Sequence, residues 1–98
     1  MKNNNIKTFD QHLDERYGKI GTEGRVEFEI KAKSFAIGEL IKEERKSASM
    51  TQEELAEKIG AKKSFISRIE NGHSDIQLST LYRLIEIGFG RRISLIIQ

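Results

Sequence analysis

Residues 62–68 read KKSFISR, which places two lysines, two serines and an arginine within two helical turns. With Ile66 and Ile69 as the buried pair of a short helix, Lys62, Lys63, Ser64, Ser67 and Arg68 fall at its N-terminal end and outer face. All five are hydrogen-bond donors. From Lys62 to His73 three cations (Lys62, Lys63, Arg68) stand against one anion (Glu70), whereas Glu53, Glu54 and Glu57 gather just upstream. A local cationic excess of this kind suits phosphate, and a helix N-terminus adds free N–H groups and a positive dipole end. A planar guanidinium at Arg68 matches the two acceptors of guanine, with Lys63 the alternative, while Lys62 suits the backbone. The competing reading of such a run is a merely solvated helix face.

Other chemistry finds little support. His12 and His73 are the only histidines, far apart and outside metal-ligand spacings such as HExxH, and there is no cysteine. Neither a glycine-rich phosphate loop nor a serine elbow occurs. No catalytic residue, metal site or cofactor is therefore expected, and the chain does not read as an enzyme. The formal net charge of +2 and pI of about 9.0 are too mildly basic to identify a nucleic-acid binder without the local distribution. Absence of cysteine fits a reducing compartment. No apolar run approaches the roughly 20 residues that span a bilayer, and Met1–Asn5 leads into no hydrophobic signal core, so a soluble, cytoplasmic protein is expected. With 98 residues the chain can bury only a small core by itself, which a second copy would enlarge.

Several helices position the donors. Thr8 with Gln11 forms a capping-box pattern for a helix over about 9–17, in which Phe9, Leu13 and Tyr17 share a face and Gly18 terminates the run. GKIGTEG is a glycine-rich joint with Thr22 as N-cap of the next segment. Over 25–49, Val26, Phe28, Ile30 and Ala32 alternate as in a strand, but Val26, Ile30, Ile37, Leu40 and Ile41 form one helical stripe and Phe28, Ala32 and Phe35 another, which favours one long helix. Its two stripes are covered by the N-terminal and downstream helices, or one of them meets a partner protein. Thr51 and Glu54 make a second capping box for a helix from Gln52, with Leu55, Ala56 and Ile59 inward. Gly60 turns the chain into the helix over about 62–70, which Asn71-Gly72 stops. After the loop HSDI, Leu78, Leu81, Leu84 and Ile85 define a helix over 77–87. The final RRISLIIQ alternates Ile93, Leu95 and Ile97 with other residues as a strand does, and its simplest partner is the same strand of a second copy. The expected fold is mainly α: a five-helix bundle containing a helix-turn-helix, with a C-terminal β-strand pairing across a dimer.

Residues 37–88 resemble the lambda-repressor/Cro-type (Xre-like) helix-turn-helix domain, through TQEELAEKIG followed by two or three polar residues and SFISRIENG. The N-terminal HLDERYGKIGTEGRVEFE and the C-terminal strand together resemble HigA-type antitoxins of type II toxin–antitoxin systems. The resemblance implies a domain order of 1–36 as a partner-binding helical extension, 37–90 as the DNA-binding domain and 91–98 as a dimerisation strand built on Ile93, Leu95 and Ile97. It implies that Gln52 grips a phosphate and braces the recognition helix, that Lys63, Ser64, Ser67 and Arg68 meet base edges, and that Lys62 and Asn71 meet the DNA backbone. It also implies a structural salt bridge between Arg45 and Glu70. Phe65 either packs inward or meets a thymine methyl.

The function expected on this resemblance is sequence-specific repression by a bacterial, DNA-associated homodimer on a palindromic operator of double-stranded DNA. The partner implied is a RelE-like, HigB-type mRNA-cleaving toxin held through Phe9, Leu13, Val26, Phe28 and Ile30, with the shared operon repressed. A stand-alone Xre-like regulator is the alternative, and a protein-interaction module without DNA binding is disfavoured by Lys62, Lys63, Ser67 and Arg68.

Overall fold

A computed structural model describes residues 8–73 and 75–98; the Met1–Asn5 stretch read for a signal core lies outside them. The chain divides into two compact units, Met1–Ala32 and Lys33–Gln98, and the division falls within one long helix.

In the first unit α1 (Phe9–Tyr17) begins at a reciprocal capping box. The Thr8 hydroxyl accepts the Gln11 N–H at 3.1 Å, and the Gln11 side chain accepts the Thr8 N–H at 2.9 Å. Two of the amides that a helix start leaves orphaned are thereby satisfied. Gly18 ends the helix, as expected, with a positive φ of 99° and an extended ψ of 166°. Helix α2 (Glu23–Ser47) follows. Thr22 precedes it, yet its hydroxyl donates to the Lys19 carbonyl at 2.7 Å and closes the joint instead of capping the helix. The Tyr17 ring stacks on Phe28 at 4.2 Å between centroids. Arg25, buried, donates to Asp14 at 2.6 Å, to the Gly18 carbonyl at 3.2 Å and to Glu29 at 3.3 Å. Burial works against its charge, but the hydrogen bonds to Asp14 and Glu29 outweigh burial and raise its pKa.

The second unit holds the core. The remainder of α2, α3 (Gln52–Ile59), α4 (Lys63–Glu70) and the segment running from α5 (Leu78–Tyr82) into a π-helical stretch (Arg83–Gly88) pack around Ile41, Leu55, Ile66, Ile69 and Leu84, all essentially inaccessible. Helix α3 ends at Gly60, whose left-handed φ of 71° and ψ of 36° let its N–H and that of Ala61 return to carbonyls of the last turn. Five α-helices are present among the described residues, in agreement with the mainly helical expectation.

Three further expectations are revised. The single helix over 77–87 changes register at Arg83, and its wider turns bring Gly88 against the core, where an added Cβ would lie 2.7 Å from Leu55 Cδ1. The two apolar stripes of the long helix, read as covered by neighbouring helices or as left in part for a partner, are covered only in part within this chain: Ile37 and Ile41 face the core and Phe28 faces Tyr17, but Val26, Ile30, Phe35 and Leu40 are 42–60% exposed. A 25-residue helix is longer than the elements that cover it. Lastly, residues 91–98 form no strand, and no strand occurs among the described residues. A strand exists only as part of a hydrogen-bonded ladder, and the helices of one chain have no free edge to offer. Of the expected dimerisation set, Ile93 is half-buried while Leu95 and Ile97 stand in the open, Ile97 at 98% exposure.

Candidate nucleic-acid interface

The two central helices start in opposite ways. At α3 the Thr51 hydroxyl accepts the Glu54 N–H at 3.0 Å and Glu54 returns the bond to the Thr51 N–H at 2.9 Å. The backbone and side-chain bonds from Thr51 hold the Glu54 carboxyl below its ordinary pKa. At α4 the N-cap position belongs to Lys62, whose ammonium has no acceptor to offer, and no side chain caps the helix. The first turn of α4 therefore keeps its positive end beside two lysines.

The far end of α4 is fastened instead. Glu70, its last residue, is buried, and its carboxylate accepts Arg45 Nε at 2.6 Å and Arg45 Nη2 at 3.0 Å in a bidentate pair. Gln52 Nε2 donates to the same carboxylate at 3.0 Å, and Arg45 Nη1 caps the Met50 carbonyl at 2.8 Å. Burial pushes the Glu70 pKa up, but the bonds from Arg45 and Gln52 and the charges of Arg45 and Lys42 outweigh it, so the net direction is down. The Arg45 pKa is raised by its bond to Glu70, against the effect of burial. All the buried side-chain polar atoms among the described residues have partners.

Ile66, Ile69 and Glu70 thus form the inner face of α4. Lys62, Lys63, Ser64 and Arg68 are exposed, and Ser67 is half-buried, its hydroxyl accepting the Asn71 side-chain amide at 3.5 Å. Lys62, Ser64 and Arg68 line one hollow of about 310 Å3 together with Phe65. Phe65 resolves toward packing: it is half-buried and lies against the core. Lys63 and Ser67 share the exposed side of the helix without lining that hollow, Asn71 sits with Ser67, and Gln52 is brought to Glu70 rather than to the lysines. A second cleft beside Arg68 is walled by His73, Asp75, Gln77 and Thr80, residues read from sequence only as loop and helix start. Nothing in their spacing points to Arg68, because the approach depends on how the loop returns to the core.

A search of family models matches residues 41–87 to the helix-turn-helix family. These residues are a helix-turn-helix domain. They make up just under half of the chain, are of the Xre/lambda-Cro type, and point to a DNA-binding transcriptional regulator. No curated protein matches the chain. Within the helix-turn-helix domain α3 and α4 are the two helices of the motif, Gly60 lies in its turn, and Glu70 closes it onto α2 through Arg45. Among the described residues no helix is long and apolar enough to cross a membrane.

The Glu70 cluster has a pH consequence. A carboxyl whose pKa is lower folded than unfolded contributes stability that is complete above the ordinary value of 4.5 and is lost as pH falls through the lower, folded value. Acid unfolding followed by circular dichroism should therefore steepen below about pH 4.5, and Glu70→Gln should flatten that limb. Glu70→Ala, which leaves the Arg45 charge buried and unpaired, should cost about 3–5 kcal/mol at neutral pH by denaturant titration.

Proposed function

We propose that the chain is a sequence-specific DNA-binding transcriptional repressor that reads DNA with α4. The observation that carries this is the partition of α4. Ile66, Ile69 and its one acidic side chain are buried and Phe65 is half-buried against the core, which leaves Lys62, Lys63, Ser64, Ser67 and Arg68 as an outward set of donors. With Glu70 neutralised by Arg45, the end of the helix does not repel phosphates. Arg68 then meets a guanine through both acceptors, an interaction worth about 1–3 kcal/mol of discrimination, with Lys63 the alternative base-edge contact, while Lys62 and the uncapped first turn meet backbone. A side-chain amide has two N–H donors, so Gln52 can brace Glu70 with one and hold a phosphate with the other. Asn71 lies at the edge of the same surface, suited to a backbone contact.

One such domain spans too few base pairs to find its site in a genome, so a homodimer on a palindromic operator belongs to the proposal. The segment 91–98 supplies the means. Its root is anchored, with the Arg91 N–H on the Ile85 carbonyl at 3.0 Å and the Arg91 guanidinium on Glu44 at 3.0 Å and 3.1 Å. Beyond that root Leu95, Ile96 and Ile97 are uncovered, and pairing antiparallel with the same segment of a second copy gives their backbone a ladder.

The finer reading is an antitoxin that neutralises a RelE-like, HigB-type ribonuclease and represses its own operon. It is supported by the resemblance of the N-terminal segment and by the apolar residues left uncovered in the first unit. Leu13 is buried and Phe28 is engaged by Tyr17, so the expected contact set narrows to Phe9, Val26 and Ile30.

Arg68→Ala should relax preference at particular base pairs, whereas Lys62→Ala should weaken binding to all duplexes alike and reduce the salt slope by about one. Equal losses for both variants on operator and random duplexes would sink that division. Deletion of 91–98 should yield a monomer in sedimentation with poor operator affinity, and a persisting dimer places the interface elsewhere. Co-expression with the product of the neighbouring gene should give a complex and relieve growth arrest; neither outcome occurring leaves a stand-alone regulator.

A further inference from the structure

A cleft of about 340 Å3 opens beside the outer face of α4, walled by Phe65 and Arg68 from the helix, His73 and Asp75 from the following loop, and Gln77 and Thr80 beyond it. Asp75 is the one carboxylate among its lining residues, and it makes no hydrogen bond or ion pair among the described residues. Gly72, His73 and Ile76 are each held in place. The Gly72 N–H bonds the Ile69 carbonyl at 3.0 Å and the His73 N–H bonds the Arg68 carbonyl at 3.1 Å. Gly72, at φ 72°, lies so close to α2 that an added Cβ would stand 3.0 Å from Phe35 Cα. On the other side Ile76 packs on the core. Asp75 thus lines the same cleft as Arg68.

We infer that Asp75 is a specificity determinant that acts by repulsion, suppressing binding to DNA of the wrong sequence. The inference rests on the DNA-binding reading above. An unpaired carboxylate within a Debye length of approaching phosphates opposes association whatever the sequence. On random DNA, where backbone contacts supply nearly all the affinity, that opposition is felt in full. On the preferred site the Arg68 guanidinium is held at a base edge, and Asp75 across the cleft gains a fixed cation to interact with, which offsets the repulsion. The carboxylate therefore lowers wrong-sequence binding more than right-sequence binding, as a built-in repulsive element does.

The test uses the full chain and two duplexes of equal length, one selected by the wild-type chain from a random library and one a scramble of it. Asp75→Asn should bind the scramble roughly three- to tenfold more tightly at low salt, and the selected duplex less than about twofold more tightly, so the ratio of the two affinities falls. Asp75→Glu should keep most of the wild-type ratio. Glu86→Gln, which makes the same change in net charge on the π-helical stretch, should leave it unchanged. An unaltered ratio in Asp75→Asn, an equal fall in Glu86→Gln, or a loss of selected-duplex affinity with no gain on the scramble each overturns the inference. A wild-type chain that binds neither duplex with a salt-dependent affinity overturns the DNA-binding reading, and with it this one.

Discussion

The carboxylate of Glu70 gathers both arms of the Arg45 fork and the amide of Gln52, so that α2, α3 and the last residue of α4 meet at one buried point. Each partner needs the others. Unpaired, the guanidinium or the carboxylate would face a desolvation penalty of several kcal/mol, and together their lone pairs and protons are consumed. The arrangement fixes where α4 ends relative to the helix that precedes it in the motif, and the orientation of every outward side chain on α4 follows.

Backbone contact reinforces this tie. An added Cβ at Gly38 would run into the Ile69 carbonyl and sit 3.1 Å from that of Glu70, so α2 rests on the end of α4 with no side chain between them. Ile66 and Ile69 then close against Ile41, Leu55 and Leu84, a small core made almost wholly of branched aliphatic residues with few ways to repack. Because the inner face of α4 is held by packing and one ion-pair cluster, its outer face is free of structural duty. Five donors can be varied there at little cost to the fold, which is what a surface that reads sequence requires.

Local rules were legible where they are local. Thr8 with Gln11 and Thr51 with Glu54 are capping boxes in the sequence and in the structure, because the bonds span only three residues. The inner and outer faces of α4 followed from Ile66 and Ile69 at helical spacing. Thr22 misled because a threonine hydroxyl can close a turn as well as cap a helix, and here it donates to the turn carbonyl of Lys19. The register change at Arg83 was hidden for a different reason: Leu78, Leu81, Leu84 and Ile85 satisfy an α-helical pattern, and only the fit of Gly88 against Leu55 favours the wider turn. Alternation in the last residues reads as a strand, but pairing is not a property of one segment, and this chain by itself gives it no ladder.

By itself the sequence determined which segments become helices, where two of them begin, and which donors the second helix of the motif cannot bury, since caps and periodicity act over a few residues. It also supplied the resemblance that the match over residues 41–87 supports at the level of the helix-turn-helix. Tertiary structure decided what depends on distance in space. It brought Arg45, Gln52 and Glu70 to one carboxylate from three helices, turned Phe65 toward the core, left Val26 and Ile30 uncovered, and set Asp75 in the lining of the cleft of Arg68. These are contacts between residues many positions apart, and only the packing of the core determines which of them meet.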